Sequence, residues 1–374
     1  MIKIKKITAL FLVFILAMLC ACSDEAVKEP ENGGFNTVTD LMGRSVAVPN
    51  SINRVVCIGA GALRLYSYIG DMSKLAAVES CEYGFLISER PYQIVNEELF
   101  KSLPSAGTGG PQGTPDAEAL IQAAPDVIFS LYTADVKAAD ELQKATDIPV
   151  VVLSYGKTEA FDADITKSIE LMGQILGREQ RAGEVNAFIE KIKSDLNDRT
   201  KAVPDAEKKT VYLGCQSKFG THGIGSSTAD YSLFDAVNAK NILDINGYSG
   251  YQGNIDMETL IKLNPEIIIL DAGGLSNLKE EYNENREAFS ALRAFASGEV
   301  YLQLPYNAYY TNLETAFADA YFIGSVLFPE QFSDVKPDEK FSEICSFLLS
   351  GDCYETLAEK YGGYRKFDIS SLAN

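Results

Sequence analysis

The chain has 374 residues, 46% of them hydrophobic, and a formal charge of −19. That length accommodates two domains of ordinary size, and that apolar content supports packed cores. A surface this acidic repels polyanions, which excludes nucleic acid as a partner.

The N-terminus reads as an export signal. Lys3, Lys5 and Lys6 give a positive start, and Ile7 to Leu19 is apolar apart from Thr8 but short for a membrane span. The run Leu19-Cys20-Ala21-Cys22-Ser23 resembles a bacterial lipobox. Cys22 fits its register, whereas Cys20 would put Leu19 where a small residue belongs. The expectation is a signal peptide over 1–21, lipidation of Cys22, and a flexible polar tether over 22–36. The protein is then held by its lipid on the cell surface or the periplasmic face of the membrane. Loss of residues 1–21 removes three lysines and no acid, deepening the charge to −22.

From Arg54 short apolar runs alternate with helical patterns. RVVCIG reads as a strand, ALRLYSYIG as a helix ending at Gly70, KLAAVES as a strand, and DAEALIQAA as a helix capped by Asp116. DVIFSLY (strand), VKAADELQKAT (helix) and PVVVLSY (strand) follow. Two long helical stretches, 161–176 and 179–200, are broken at Gly177. After a polar boundary at 201–209 come TVYLGCQ (strand), DYSLFDAV and METLIKL (helices), EIIILDA (strand), EAFSALRAF (helix) and EVYLQLP (strand). The chain from Leu313 on reads as largely helical. Such alternation predicts an α/β protein with doubly wound, Rossmann-like sheets. The expected organisation is one lobe over 37–177, a linking helix over 178–202, and a second lobe over 203–374. Cys57 and Cys215 lie in strands and read as small core residues, and Cys345 and Cys353 are close enough in sequence to pair.

One element occurs twice. PDAEALIQAAPDVIF, starting at Pro115, and IDMETLIKLNPEIIIL, starting at Ile255, share Asp-x-Glu-x-Leu-Ile, a Pro, an acid and an apolar run. Asp116 matches Asp256, Glu118 matches Glu258, and Pro125 matches Pro265, all at an offset of 140. Helix–Pro–strand is a common unit of α/β folds, so the repeat alone does not assign a function.

Enzyme constellations are poor. His222 is the sole histidine, which excludes a multi-histidine metal cage. VLSYG lacks the first glycine of a nucleophile elbow. CIGAGALR has Gly59 and Gly61 of a dinucleotide fingerprint but Arg64 where the third glycine belongs. Those glycines still let backbone amides at a helix start approach a ligand. The stronger signal is tyrosine, with 19 in the chain and no tryptophan. Tyr83, Tyr132, Tyr155 and Tyr251 follow strands or lie in loops, and LPYNAYYTN places Tyr306, Tyr309 and Tyr310 between a strand and a helix. Tyr66, Tyr68, Tyr212 and Tyr321 read as core. The Gly- and Ser-rich stretch SKFGTHGIGSSTADYSLF adds Lys218, His222 and Tyr231 after the first strand of the second lobe.

Taken together, several motifs resemble the substrate-binding lipoproteins of ABC importers, of the iron–siderophore/cobalamin type. They are VTDLMGRSVAVP (38–49), Arg54-Val-Val, Gly107-Thr-Gly, the two Glu–Pro–acid elements, and YNAYYTNLETAFADAYFIGSVLFPEQF (306–332). The tail through KYGGYRKFDI looks most like the iron branch. The resemblance implies two α/β lobes joined by one stiff helix, small closure motions, and a ligand in the cleft between the lobes. It implies a monomer, no cofactor and no catalysis, partnered by a permease dimer with its ATPase. Gly61, Arg64, Tyr83 and Tyr132 are the candidate ligand contacts from the first lobe. Lys218, His222, Tyr231, Tyr306, Tyr309 and Tyr310 are those from the second. Glu118 and Glu258 fall where the family docks on its permease. The expected cargo is a ferric chelate, with a corrinoid or haem as the alternative. An extracellular enzyme or a surface sensor on the same scaffold is the reading of another class.

Overall fold

The computed structural model describes residues 34–83, 89–132 and 135–373. The signal segment and Cys22 lie outside them. The first element is an antiparallel hairpin, β1 (Phe35–Thr39) against β2 (Ser45–Pro49). It starts inside the stretch expected to be tether. Alternation buries Val38, Val46 and Val48 on one face. Arg44 fastens the hairpin to the first lobe. Its guanidinium donates to Asp40 at 3.0 Å, to Asp140 at 2.8 Å and to the Val150 carbonyl at 3.0 Å.

The first lobe holds β3 (Val55–Ile58), β4 (Leu75–Ala77), β5 (Val127–Ser130) and β6 (Val150–Val152). They form one parallel sheet in the order β4-β3-β5-β6. Every residue of these strands is buried, as expected of a parallel sheet covered on both faces.

A helix over Glu179–Thr200 follows the helix Ala163–Leu176, with Gly177 in the left-handed region (φ 63°) between them. Its 22 residues span about 33 Å at 1.5 Å per residue. Ala182, Val185, Ile189, Ile192, Leu196 and Thr200 make one buried stripe at helical spacing.

The second lobe contains β7 (Thr210–Gly214), β8 (Ser227–Thr228), β9 (Lys240–Asn241), β10 (Tyr251–Gln252), β11 (Ile267–Asp271), β12 (Val300–Gln303) and β13 (Arg365–Lys366). Its sheet runs β9-β7-β11-β12-β13, parallel except for the antiparallel edge strand β13. Strands β8 and β10 form a separate short antiparallel pair. Set side by side, β4-β3-β5-β6 and β9-β7-β11-β12 have the same chain order and direction. The repeated sequence element is the helix and third strand of each copy. Helices Ala117–Ala123 and Met257–Leu263 are capped by Asp116 and Asp256, whose carboxylates accept from Ala119 N and Thr259 N. Both end on a left-handed residue, Ala124 (φ 45°) and Asn264 (φ 48°), before the shared Pro and the central strand.

One detail differs from the sequence reading. EAFSALRAF forms two helices, Arg286–Ala291 and Arg293–Ser297, because Leu292 is extended and buried and Asn264 Oδ1 accepts from Arg293 N to start a new turn. The Cys345 and Cys353 sulfurs are 3.9 Å apart and both are thiols. Tyr66, Tyr68, Tyr212 and Tyr321 are core residues, as are Cys57 and Cys215. Helices Leu313–Leu327, Pro337–Leu349 and Tyr354–Tyr361 complete the C-terminal part.

Candidate ligand-binding site

In each sheet the chain order reverses between the first and third strands, β3/β5 and β7/β11. Open α/β sheets take ligands outside the carboxyl ends at such points. In the first lobe Gly59 (φ 84°) follows β3, and a Cβ there would lie 2.8 Å from the backbone of Leu131 and Tyr132 beyond β5. Only glycine permits that approach. Its amide donates to Glu79 at 2.9 Å. Gly61 (φ 89°) caps the helix Ala62–Ile69 and packs on the Tyr155 ring.

Arg64 lies in the first turn of that helix and is fully buried. Its donors are spent on Asn312 Oδ1 (3.0 Å), the Tyr155 hydroxyl (3.2 Å) and the carbonyls of Ala308 and Tyr309 (3.0 Å each). Its guanidinium also faces the Tyr92 ring at 4.9 Å. The expectation that Arg64 offers its charge to an anionic ligand is therefore not met in this structure. It is a rivet between the first lobe and the segment after β12.

That segment, 304–312, reaches into the first lobe. Tyr309 and Tyr310 both sit at positive φ, 54° and 66°. Two adjacent bulky residues in the left-handed region are strained, and such strain persists only where surrounding contacts hold it. Here Arg64 grips the carbonyls, and Asn312 donates to the carbonyls of Tyr306 and Ala308. The Tyr309 hydroxyl donates to Glu79 at 3.1 Å, accepts from Gly110 N at 3.2 Å and lies 3.2 Å from the Tyr132 hydroxyl. Tyr310 is exposed, with its ring 5.6 Å from that of Tyr155. Tyr306 and Tyr231 are buried neighbours, 6.3 Å between centroids, and Gln303 donates to the Tyr231 hydroxyl. Tyr83 packs against the core and its hydroxyl donates locally to Ser80 Oγ, at 3.3 Å.

In the second lobe the loop after β7 is tied to β11 by Asp271, whose carboxylate accepts from the amide and hydroxyl of Ser217. The Lys218 carbonyl lies 3.1 Å from His222 Nε2 and accepts from the Tyr251 hydroxyl at 3.2 Å. Six of the ten nominated residues fall into two groups. Gly61, Arg64, Tyr132 and Tyr309 meet at the lobe junction, and Lys218 and His222 lie on the second-lobe loop.

Burial shifts several titratable groups of the two lobes toward their neutral forms. Burial pushes Glu79 up to about 7 and Asp271 up to about 6, and it lowers Lys218. Asp235 rises to about 6 by burial, helped by Asp244, Asp230 and Glu159. Ligand atoms of Glu79, Cys81 and Glu82 lie within 4.8 Å of one another, the set among the described residues able to hold a metal. Glu82 is already occupied by Arg90 (3.1 Å), Tyr92 (2.7 Å) and Gln93. Glu79, Arg90 and Asn312 escape sequence reasoning because no local motif marks them; they matter through contacts between distant segments.

The family model described as "Periplasmic binding protein" matches residues 88–305. This chain belongs to that family. An ABC transporter substrate-binding lipoprotein of Bacillus subtilis, YvrC, is 25% identical over 189 residues, covering 50% of this chain and 57% of its own. The chain thus spans less than two thirds of that relative. A second lipoprotein of Bacillus subtilis, YhfQ, is 22% identical over 79% of this chain and 90% of its own. A periplasmic solute-binding protein from Veillonella parvula superposes with a TM-score of 0.65 at 16% identity, covering 88% and 97% of the two chains. The molybdate-bound MolA of Haemophilus influenzae gives 0.64 at 17% identity, covering 85% and 99%. The catecholate-siderophore binding protein VctP of Vibrio cholerae gives 0.50 at 18%, covering 76% and 96%. Among the described residues no helix is long and apolar enough to cross a membrane.

Proposed function

We propose that this protein is the substrate-binding component of an ABC importer. It captures a metal chelate of the ferric-siderophore class between its lobes and presents it to a permease. The observation that carries the reading is the duplicated topology. Glu118 and Glu258 occupy the same place in equivalent capped helices, both exposed. A near-symmetric permease dimer offers one cationic site per subunit, and one carboxylate per lobe matches it. The glycines, tyrosines and Lys218 at the carboxyl ends of both sheets support a ligand in the cleft. The relatives' names support the transport role, and the likeness to VctP supports the chelate class. In this reading the protein binds and releases its cargo without chemistry. Lipidation at Cys22 places it outside the membrane, beside its permease.

The test is uptake in the source bacterium. Loss of the gene stops accumulation of one radiolabelled ferric chelate, and wild-type protein restores it. Undiminished uptake of every ferric chelate in the deletion strain contradicts the reading.

A further inference from the structure

Phe219 is 84% exposed, more than any other large apolar side chain among the described residues. It is not in a disposable turn. It follows β7 at the ligand end of the second sheet, and its backbone is left-handed (φ 60°), ahead of Gly220 (φ 123°). A bulky side chain in that region is strained. The strain turns the ring outward against the edge of Tyr251, with centroids 5.6 Å apart at 76°, so one Phe219 face stays open.

Lys218 stands beside this ring. Its ammonium lies 5.9 Å from the Phe219 centroid and 5.8 Å from that of Tyr251. Among the described residues it has no ion pair or hydrogen bond. A half-buried ammonium without a counter-ion is unfavourable unless something else completes it. Burial, the larger influence, disfavours its charge, and Glu159 of the other lobe partly offsets this. The loop is also braced. The Lys218 carbonyl is held by Tyr251, and the Tyr251 hydroxyl lies 3.0 Å from Ser226 Oγ. The backbone is fixed, and the cation faces the two rings without a carboxylate at salt-bridge distance among the described residues, while Phe219 stays exposed.

We propose that Lys218, Phe219 and Tyr251 form a binding platform for an anionic aryl group. Lys218 pairs with a carboxylate or phenolate oxygen, and Phe219 stacks on the ring that bears it. This deepens the proposed function: the cargo carries an acidic aromatic arm, and the second lobe reads that arm.

The chain has 19 tyrosines and no tryptophan, so Phe219→Trp puts the one selectively excitable tryptophan on the platform. The full-length variant is titrated with benzoate, cyclohexanecarboxylate and benzyl alcohol. The first two share the charge, and the first and third share the ring. We expect a saturable fluorescence change with benzoate, and binding at least about tenfold weaker for the other two. Adding Lys218→Gln weakens benzoate at least about tenfold, and raising salt weakens it further. Lys218→Gln lies on a surface loop, and an unchanged Tm checks that the fold is intact. Equal binding of benzoate and cyclohexanecarboxylate, indifference to Lys218→Gln, or no saturation overturns the proposal. If chelates bind the wild type while benzoate does not, the platform falls and the transport reading stands. If benzoate binds as expected but no chelate is bound or imported, the transport reading falls and the platform stands.

Discussion

Tyr309 donates its phenol proton to Glu79 across the lobe junction, over 3.1 Å. The donor comes from the segment after β12 and the acceptor from the segment after β4. Glu79 is almost fully buried, and its carboxyl also accepts from the Gly59 amide. The Arg90 guanidinium lies over the Tyr309 ring, 5.4 Å from its centroid, so Tyr309→Phe keeps that contact and removes the hydroxyl. It should cost about 1–2 kcal/mol, because a buried carboxyl loses a partner. Urea unfolding of the two proteins measures this, and equal midpoints would show the bond to be idle.

Glu79 also gives stability a pH dependence. Burial raises its carboxyl to about 7 in the folded protein, against about 4.5 unfolded. The folded state therefore holds the extra proton. Its contribution is complete below the unfolded value and is lost as pH rises through about 7. Glu79→Gln removes this dependence, so its stability should change less between pH 5 and 7.5 than that of the wild type, by roughly 2 kcal/mol. Parallel stability curves for the two proteins over that range would refute the assignment.

Arg64 holds a strained loop through carbonyls rather than carboxylates. Arg64→Ala strands Asn312 Oδ1 and two carbonyls and releases the positive φ at Tyr309 and Tyr310. A loss of about 3 kcal/mol is expected. Arg64→Lys should recover only part, because one ammonium cannot reproduce a planar fork with partners on several sides. Full recovery by lysine in thermal melts would mean that charge alone matters.

Glu118 and Glu258 are predicted to act outside the cleft. Glu258 pairs with Lys262 at 2.7 Å on the surface, a contact worth a few tenths of a kcal/mol. The double variant Glu118→Ala, Glu258→Ala should keep its Tm within about 2 °C and its chelate affinity unchanged. Uptake in cells should fall to the level of a strain lacking the protein. Wild-type uptake by the double variant would remove both residues from the docking surface.

Much of the fold was legible because it is written locally. Apolar runs of four or five residues became β3, β5, β7 and β11, and Asp116 and Asp256 cap the helices they precede. The hairpin β1/β2 and the edge strand β13 were not legible, since a half-exposed five-residue strand and a two-residue one carry little periodic signal. At the site, the tyrosines of 306–310 stood out by composition. Their roles did not, because Tyr309 is buried against Glu79 while Tyr310 is exposed, and no local pattern shows that both backbones are left-handed. Arg64 read as a ligand cation from its place near a glycine turn. Its carbonyl partners lie 244 and 245 residues away, beyond any local pattern.

The central claim is that this chain binds a small metal complex between its lobes. The most direct measurement is the thermal stability of the purified mature protein in a ligand panel. The panel contains ferric catecholate, hydroxamate and citrate chelates, haem, cobalamin, molybdate and free metal ions. At about 100 times its dissociation constant, a true ligand adds roughly 2.7 kcal/mol of stability. The account predicts such a rise with one ferric chelate, largest for one with acidic aryl arms, and none with free metal ions. A flat panel, or a rise with molybdate or a free ion alone, contradicts it.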